Sequence, residues 1–142
     1  MPIQLHTIGE HLKVRRLALH RFQSDVAKEL RADKVSLQNW ERGVFEPVPR
    51  FYPAIIRFLG YVPFTHDGTP SGMIRWLRCC DGWTQQQLAA AAKCNDVTVW
   101  RWETGRACDV LLWQTGFACL IQRLESLGLI EFAKHEVETL RR

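Results

Sequence analysis

Between Asp33 and Gly43 the chain reads DKVSLQNWERG. In a helix over this stretch, Lys34, Val35, Ser36, Gln38 and Asn39 fall on the outward side. Their side chains match what base-pair edges offer. Lysine donates to guanine O6 and N7, glutamine or asparagine pairs with adenine N6 and N7, and valine rests against a thymine methyl. Any exposed helix carries Lys, Gln and Asn, so these residues alone are equally a solvated face. The frame that positions them has to decide.

Other chemistries find less support. His6, His11, His20, His66 and His135 are scattered, and no nucleophile-base arrangement, phosphate loop or carboxylate pair stands out, so an enzyme is not expected. Five cysteines, Cys79, Cys80, Cys94, Cys108 and Cys119, form no C-x-x-C pair and no zinc spacing. They read as reduced, mostly buried apolar residues. Cys94 beside Lys93 is the one candidate for a sensing thiol. Neither cofactor nor metal is expected.

The chain has 142 residues, with 46% hydrophobic and 24% charged residues, six tryptophans and a net charge of +4. That suits one domain or two small ones. The mildly basic balance fits an anionic partner. Residues 1–68 carry 10 Lys/Arg against 7 Asp/Glu, and residues 69–142 carry 9 against 8, so the N-terminal half suits a polyanion better. No run approaches the ~20 apolar residues of a membrane span, and the first residues lack a signal-peptide pattern. A soluble, cytoplasmic, all-helical protein is expected.

Helical periodicity dominates. The first helix starts at Thr7, with Ile8, Leu12, Leu17 and Leu19 as inward candidates. The second runs from Gln23 to about Arg31, with Val26, Ala27 and Leu30 inward. Asp33 caps a third, Lys34 to Glu41, and Gly43 ends it. A short buried helix closes at Gly60. Residues 62–71 are expected as a linker between domains 1–61 and 72–142. A helix then covers Gly72 to Cys80. Thr84 and Gln87 form a capping box, Asn95 caps the following helix, and helices over Val110–Leu127 and Ile130–Leu140 end the chain.

The order after the linker repeats the order before it. Sliding residues 7–43 by 62 positions lays them on 69–105 without a gap. Thr7/Thr69, Arg16/Arg78, Gln23/Gln85, Ala27/Ala89, Val35/Val97, Trp40/Trp102, Glu41/Glu103 and Gly43/Gly105 are identical. Periodicity does not require a Gln, a Trp-Glu and a Gly to keep register, so the chain reads as two copies of one helical unit. In each, two short helices meet at a three-residue turn.

Gln23, Ala27 and Trp40-Glu41-Arg42-Gly43 resemble the phage-repressor-like (Cro-type, also called XRE) helix-turn-helix DNA-binding family, as does Pro49 to Tyr61. The resemblance covers residues 7–61 well and 69–106 moderately. It implies two tandem lambda-repressor-like units, with Arg16 paired to Glu41 and Arg78 to Glu103. It gives Gln23 a phosphate or base-edge contact and gives Arg42 and Arg50 phosphate contacts. Arg31 and Lys93 stand where the family usually has a turn glycine, and Phe22 stands where it usually has Ser or Thr.

In the second copy the corresponding positions are Asp96, Val97, Thr98, Trp100 and Arg101. Gln85, Val97, Thr98, Arg101 and Arg106 suit DNA, whereas Asp96 repels phosphate and Trp100 suits a protein interface. Leu111, Leu112, Phe117, Leu120, Ile121, Leu124 and Leu127 either cap their own core or form a homodimer interface.

The expectation is a sequence-specific double-stranded DNA-binding transcription regulator, of bacterial or phage repressor type. It would read the major groove with residues 34–41 and, in a second place, 96–102. The alternative is a protein-binding module, antitoxin-like or anti-activator, that works through Trp100, Trp113 and the C-terminal helices.

Overall fold

The computed structural model describes residues 5–106 and 109–142, and it is all-α. Its helices are α1 (Ile8–Ala18), α2 (Gln23–Glu29), α3 (Lys34–Glu41), α4 (Tyr52–Leu59), α5 (Pro70–Cys80), α6 (Gln85–Ala92), α7 (Asp96–Glu103), α8 (Val110–Ser126) and α9 (Lys134–Arg141). Short 3-10 turns precede α4 and α9. None of the described helices is long and apolar enough to cross a membrane. The chain divides into two compact units, Met1–Phe64 and Thr65–Arg142.

The first unit packs α1–α4 around Leu12, Val26, Leu30, Leu37, Trp40 and Ile55. The helix starts follow from their caps. Thr7 accepts from the Glu10 amide at 3.1 Å, and Asp33 accepts from Ser36 at 2.8 Å. Each satisfies a donor that helix geometry leaves orphaned. Gly43 adopts φ 74°, so α3 stops where glycine permits a left-handed turn. Gly9 brings α1 against the α3 backbone: a Cβ there would lie 1.6 Å from the Trp40 carbonyl oxygen.

The second unit repeats this at an offset of 62. Helices α1 and α5 begin and end at matching positions, as do α3 and α7. Thr69 and Asn95 cap where Thr7 and Asp33 do. Arg31 and Lys93 are both left-handed, with φ of 57° and 58°. A non-glycine residue bears that conformation at a cost of about 1–2 kcal/mol. The Thr84–Gln87 capping box is present in both directions.

The two copies differ in how much of the first helix is covered. On α1, Leu17 and Leu19 are 53% and 41% exposed, contrary to their expected inward place. On α5 the counterpart of Leu19 is Asp81, at 0% exposure. Helices α8 and α9 pack on α5, and among the described residues α9 has no counterpart in the first unit. Phe117, Leu120, Ile121 and Leu124 are buried within the second unit, so most of the expected dimer surface is spent on its own core. Leu111 remains 73% exposed.

The expected linker is shorter than 62–71, because α5 already begins at Pro70, and it is anchored at single points. The Phe64 ring lies 5.2 Å from that of Tyr52 in the first unit. His66 bonds Glu136 in the second at 3.0 Å, and Asp67 accepts from the Thr69 hydroxyl at 2.6 Å. The four described cysteines are free; Cys80 is buried, and Cys79, Cys94 and Cys119 are half-buried rather than enclosed. Cys108 lies outside the described residues.

Candidate nucleic-acid interface

A polar chain at the junction of α1, α2 and α3 fixes the first unit's outer face. Arg16 donates to Glu41 through Nε at 2.9 Å and Nη2 at 2.8 Å. A third guanidinium N–H reaches the Arg21 carbonyl at 3.1 Å. The hydrogen bond to Glu41 raises the Arg16 pKa above its ordinary value. Gln23 donates to Glu41 at 3.2 Å, and its own carbonyl accepts from Gln38 at 3.3 Å. Each link spans two elements, so the four residues hold α3 in register against α1 and α2.

This network changes what the expected contact residues have left to offer. The Gln23 amide is engaged at both ends and retains one N–H. Gln38 keeps its carbonyl and its second N–H, which is the set an adenine edge requires. The Ser36 hydroxyl donates to Asp33 at 3.1 Å, so outward it can only accept. These bonds from Ser36 hold the Asp33 carboxyl below the usual carboxylate range. Val35 is 63% exposed, Lys34 and Arg42 are exposed, and Asn39 is half-buried. Arg50 is exposed too, its guanidinium carbon 4.8 Å from the Phe51 ring centre.

Beside α3 lies a cleft of about 500 Å3, lined by Lys13, Arg16, Phe22, Gln23, Ser24, Lys34, Glu41 and Arg42. Arg16 and Glu41 neutralise each other. Lys13, Lys34 and Arg42 are exposed and have no carboxylate partner among the described residues. Three unpaired cations around a polar hollow give this face a positive local charge that favours an anion. Lys13 was not among the expected contacts. Its only sequence signal is the matching cation, Arg75, in the second copy.

The second unit keeps the scaffold. Arg78 donates to Glu103 at 2.6 and 2.9 Å and to the Trp83 carbonyl at 2.8 Å, and Gln85 donates to Glu103 at 3.2 Å. The fourth link is missing, because Trp100 stands where Gln38 does. Trp100 is 43% exposed, with the Arg106 guanidinium carbon 5.2 Å from its ring centre. Thr98 donates its hydroxyl to Asn95 at 3.0 Å. Val97 is 53% exposed, and Arg101 and Arg106 are exposed. Trp113 is half-buried and stacks on Phe117, with ring centres 5.3 Å apart.

Sequence reasoning gave no sign of Asp81. It is fully buried at the end of α5, and neither carboxylate oxygen has a hydrogen-bond partner. Burial pushes its carboxyl up to about 8, and the Arg123 charge pulls it back only in part. Arg123 bonds the Asp81 backbone carbonyl at 3.0 Å rather than its carboxylate.

No protein-family model matches the chain, and comparison with curated proteins and with solved structures finds no significant match.

Proposed function

We propose that this chain is a sequence-specific double-stranded DNA-binding regulator of transcription, of the bacterial or phage repressor kind. The observation that carries this reading is the α3 face beside its cationic cleft. Lys13, Lys34 and Arg42 surround a polar hollow whose one carboxylate, Glu41, is already paired with Arg16, while Val35, Gln38 and Asn39 stand next to it with donors, acceptors and a methyl surface. Phosphate contacts set register and base-edge contacts set sequence, and the two sets lie side by side here. The resemblance to phage-repressor-like helix-turn-helix units supports placing α3 in the major groove, with α2 against the backbone.

Selection of bound duplexes from a random pool tests this. A recovered motif that shifts in Lys34→Ala/Asn39→Ala supports it. No enrichment at low salt, with the chain folded by circular dichroism, overturns it.

A second reading is a protein-binding module, favoured by the exposure of Trp100 and its pairing with Arg106. Trp100→Ala separates the two. Loss of a protein partner with DNA affinity unchanged supports the second reading; partner binding unaffected by the substitution overturns it.

A further inference from the structure

Two copies of one scaffold allow a comparison in which the fold is held constant and only the surface varies. The Arg–Glu–Gln network, the left-handed turns, and the bounds and caps of α1/α5 and α3/α7 recur in both units. The second unit has therefore not decayed as a structure. Its cleft positions have nonetheless changed. Lys13 becomes Arg75, Lys34 becomes Asp96 and Arg42 becomes Thr104. Three exposed positive charges become one positive and one negative, so the exposed lining falls from +3 to 0. Ser24 becomes Gln86, which is longer, and Phe22 becomes Thr84, whose hydroxyl is already tied into the capping box.

Val97 and Thr98 keep the chemistry of Val35 and Ser36, but three of the five reading positions change: Lys34 to Asp96, Gln38 to Trp100 and Asn39 to Arg101. Gln38 becomes Trp100, which has no amide to present to a base edge, and Arg106 lies over its ring. Asp96 stands at the helix start, where a major-groove reader comes closest to the phosphates, and a carboxylate there opposes the polyanion. Arg101 and Arg106 remain, but they sit outside the positions that form the first unit's cleft.

We infer that the first unit alone engages duplex DNA, and that the second unit keeps the scaffold without the DNA contact. This rests on the DNA reading proposed above. One chain then reads one half-site, and an operator of two half-sites takes two chains rather than the two units of one.

The test is the salt dependence of binding to a fluorescently labelled duplex recovered by the selection, using the whole chain. Each phosphate contact contributes about 0.9 to the slope of log K against log salt. Lys34→Ala/Arg42→Ala is expected to make the slope shallower by about two and to weaken binding. Arg101→Ala/Arg106→Ala is expected to leave slope and affinity as they are. All four side chains are exposed, so both variants should fold, and circular dichroism checks this. A shallower slope in the Arg101/Arg106 variant overturns the inference while leaving the DNA reading intact. An unchanged slope in the Lys34/Arg42 variant overturns the inference together with the α3-cleft observation that carries the DNA reading. Failure of the unaltered chain to bind any duplex at about 50 mM salt overturns the DNA reading and the inference together.

Discussion

Arg78 and Glu103 lie 25 positions apart and meet in a fork of two hydrogen bonds, 2.6 and 2.9 Å long, with the Glu103 side chain only 3% exposed. Arg16 and Glu41 make the same fork at the same separation in the first unit. A pair this enclosed contributes little net stability, but either partner left alone is a buried, uncompensated charge. Glu103→Ala is therefore expected to destabilise the second unit by about 3 kcal/mol or more, and Glu41→Ala the first by a similar amount. Replacing both partners with apolar residues of similar volume should cost less. Urea unfolding followed by circular dichroism measures each.

Gly9→Ala is expected to unfold the first unit or weaken it by about 3 kcal/mol, since the new methyl would meet the Trp40 carbonyl at 1.6 Å and backbone cannot rotate aside. Gly43→Ala meets nothing within 4 Å and pays only for its left-handed φ of 74°, about 1 kcal/mol. The order of the two melting temperatures checks the argument.

Asp81 should make the second unit sensitive to pH. Its folded-state carboxyl holds its proton up to about 8, while an unfolded chain releases it near 3.8. Between those values the folded state binds the extra proton, so stability falls as pH rises and levels off above about 8. The contribution to the slope approaches about 1.4 kcal/mol per pH unit. Asp81→Leu, which places the residue of position 19 there, should remove that slope and raise stability at pH 8. A denaturation series across pH 5–9 reads both chains. Identical slopes would overturn this account.

Under the DNA reading proposed above, Asn39→Ala is expected to relax base preference at one position of the bound site at a cost of about 1–3 kcal/mol, with the salt slope unchanged. Arg42→Ala should weaken binding to all sequences alike and make the slope shallower by about one. Competition binding with single-base variants of the recovered duplex separates the two.

Much of the architecture is already written in local chemistry. Caps at Thr7, Asp33, Thr84 and Asn95, and stops at Gly43 and Gly60, set helix limits through backbone donors and dihedrals within a few residues, so they can be read without a fold, whereas α5 starts at Pro70 behind its Thr69 cap, two residues before the expected Gly72. The 62-residue register of Arg16/Arg78, Gln23/Gln85 and Glu41/Glu103 is equally visible, because it is a relation of the sequence to itself. Burial is different. Leu17 and Leu19 have the right spacing for a core, yet they face solvent, while Asp81, the counterpart of Leu19, is enclosed in a unit where α8 and α9 pack on α5. Only the tertiary structure decided that, since what covers a helix face is supplied by residues distant in sequence. The same holds for the cleft: Lys13, Lys34 and Arg42 are separate cations along the chain, and become one site only when α1 and α3 cross at Gly9.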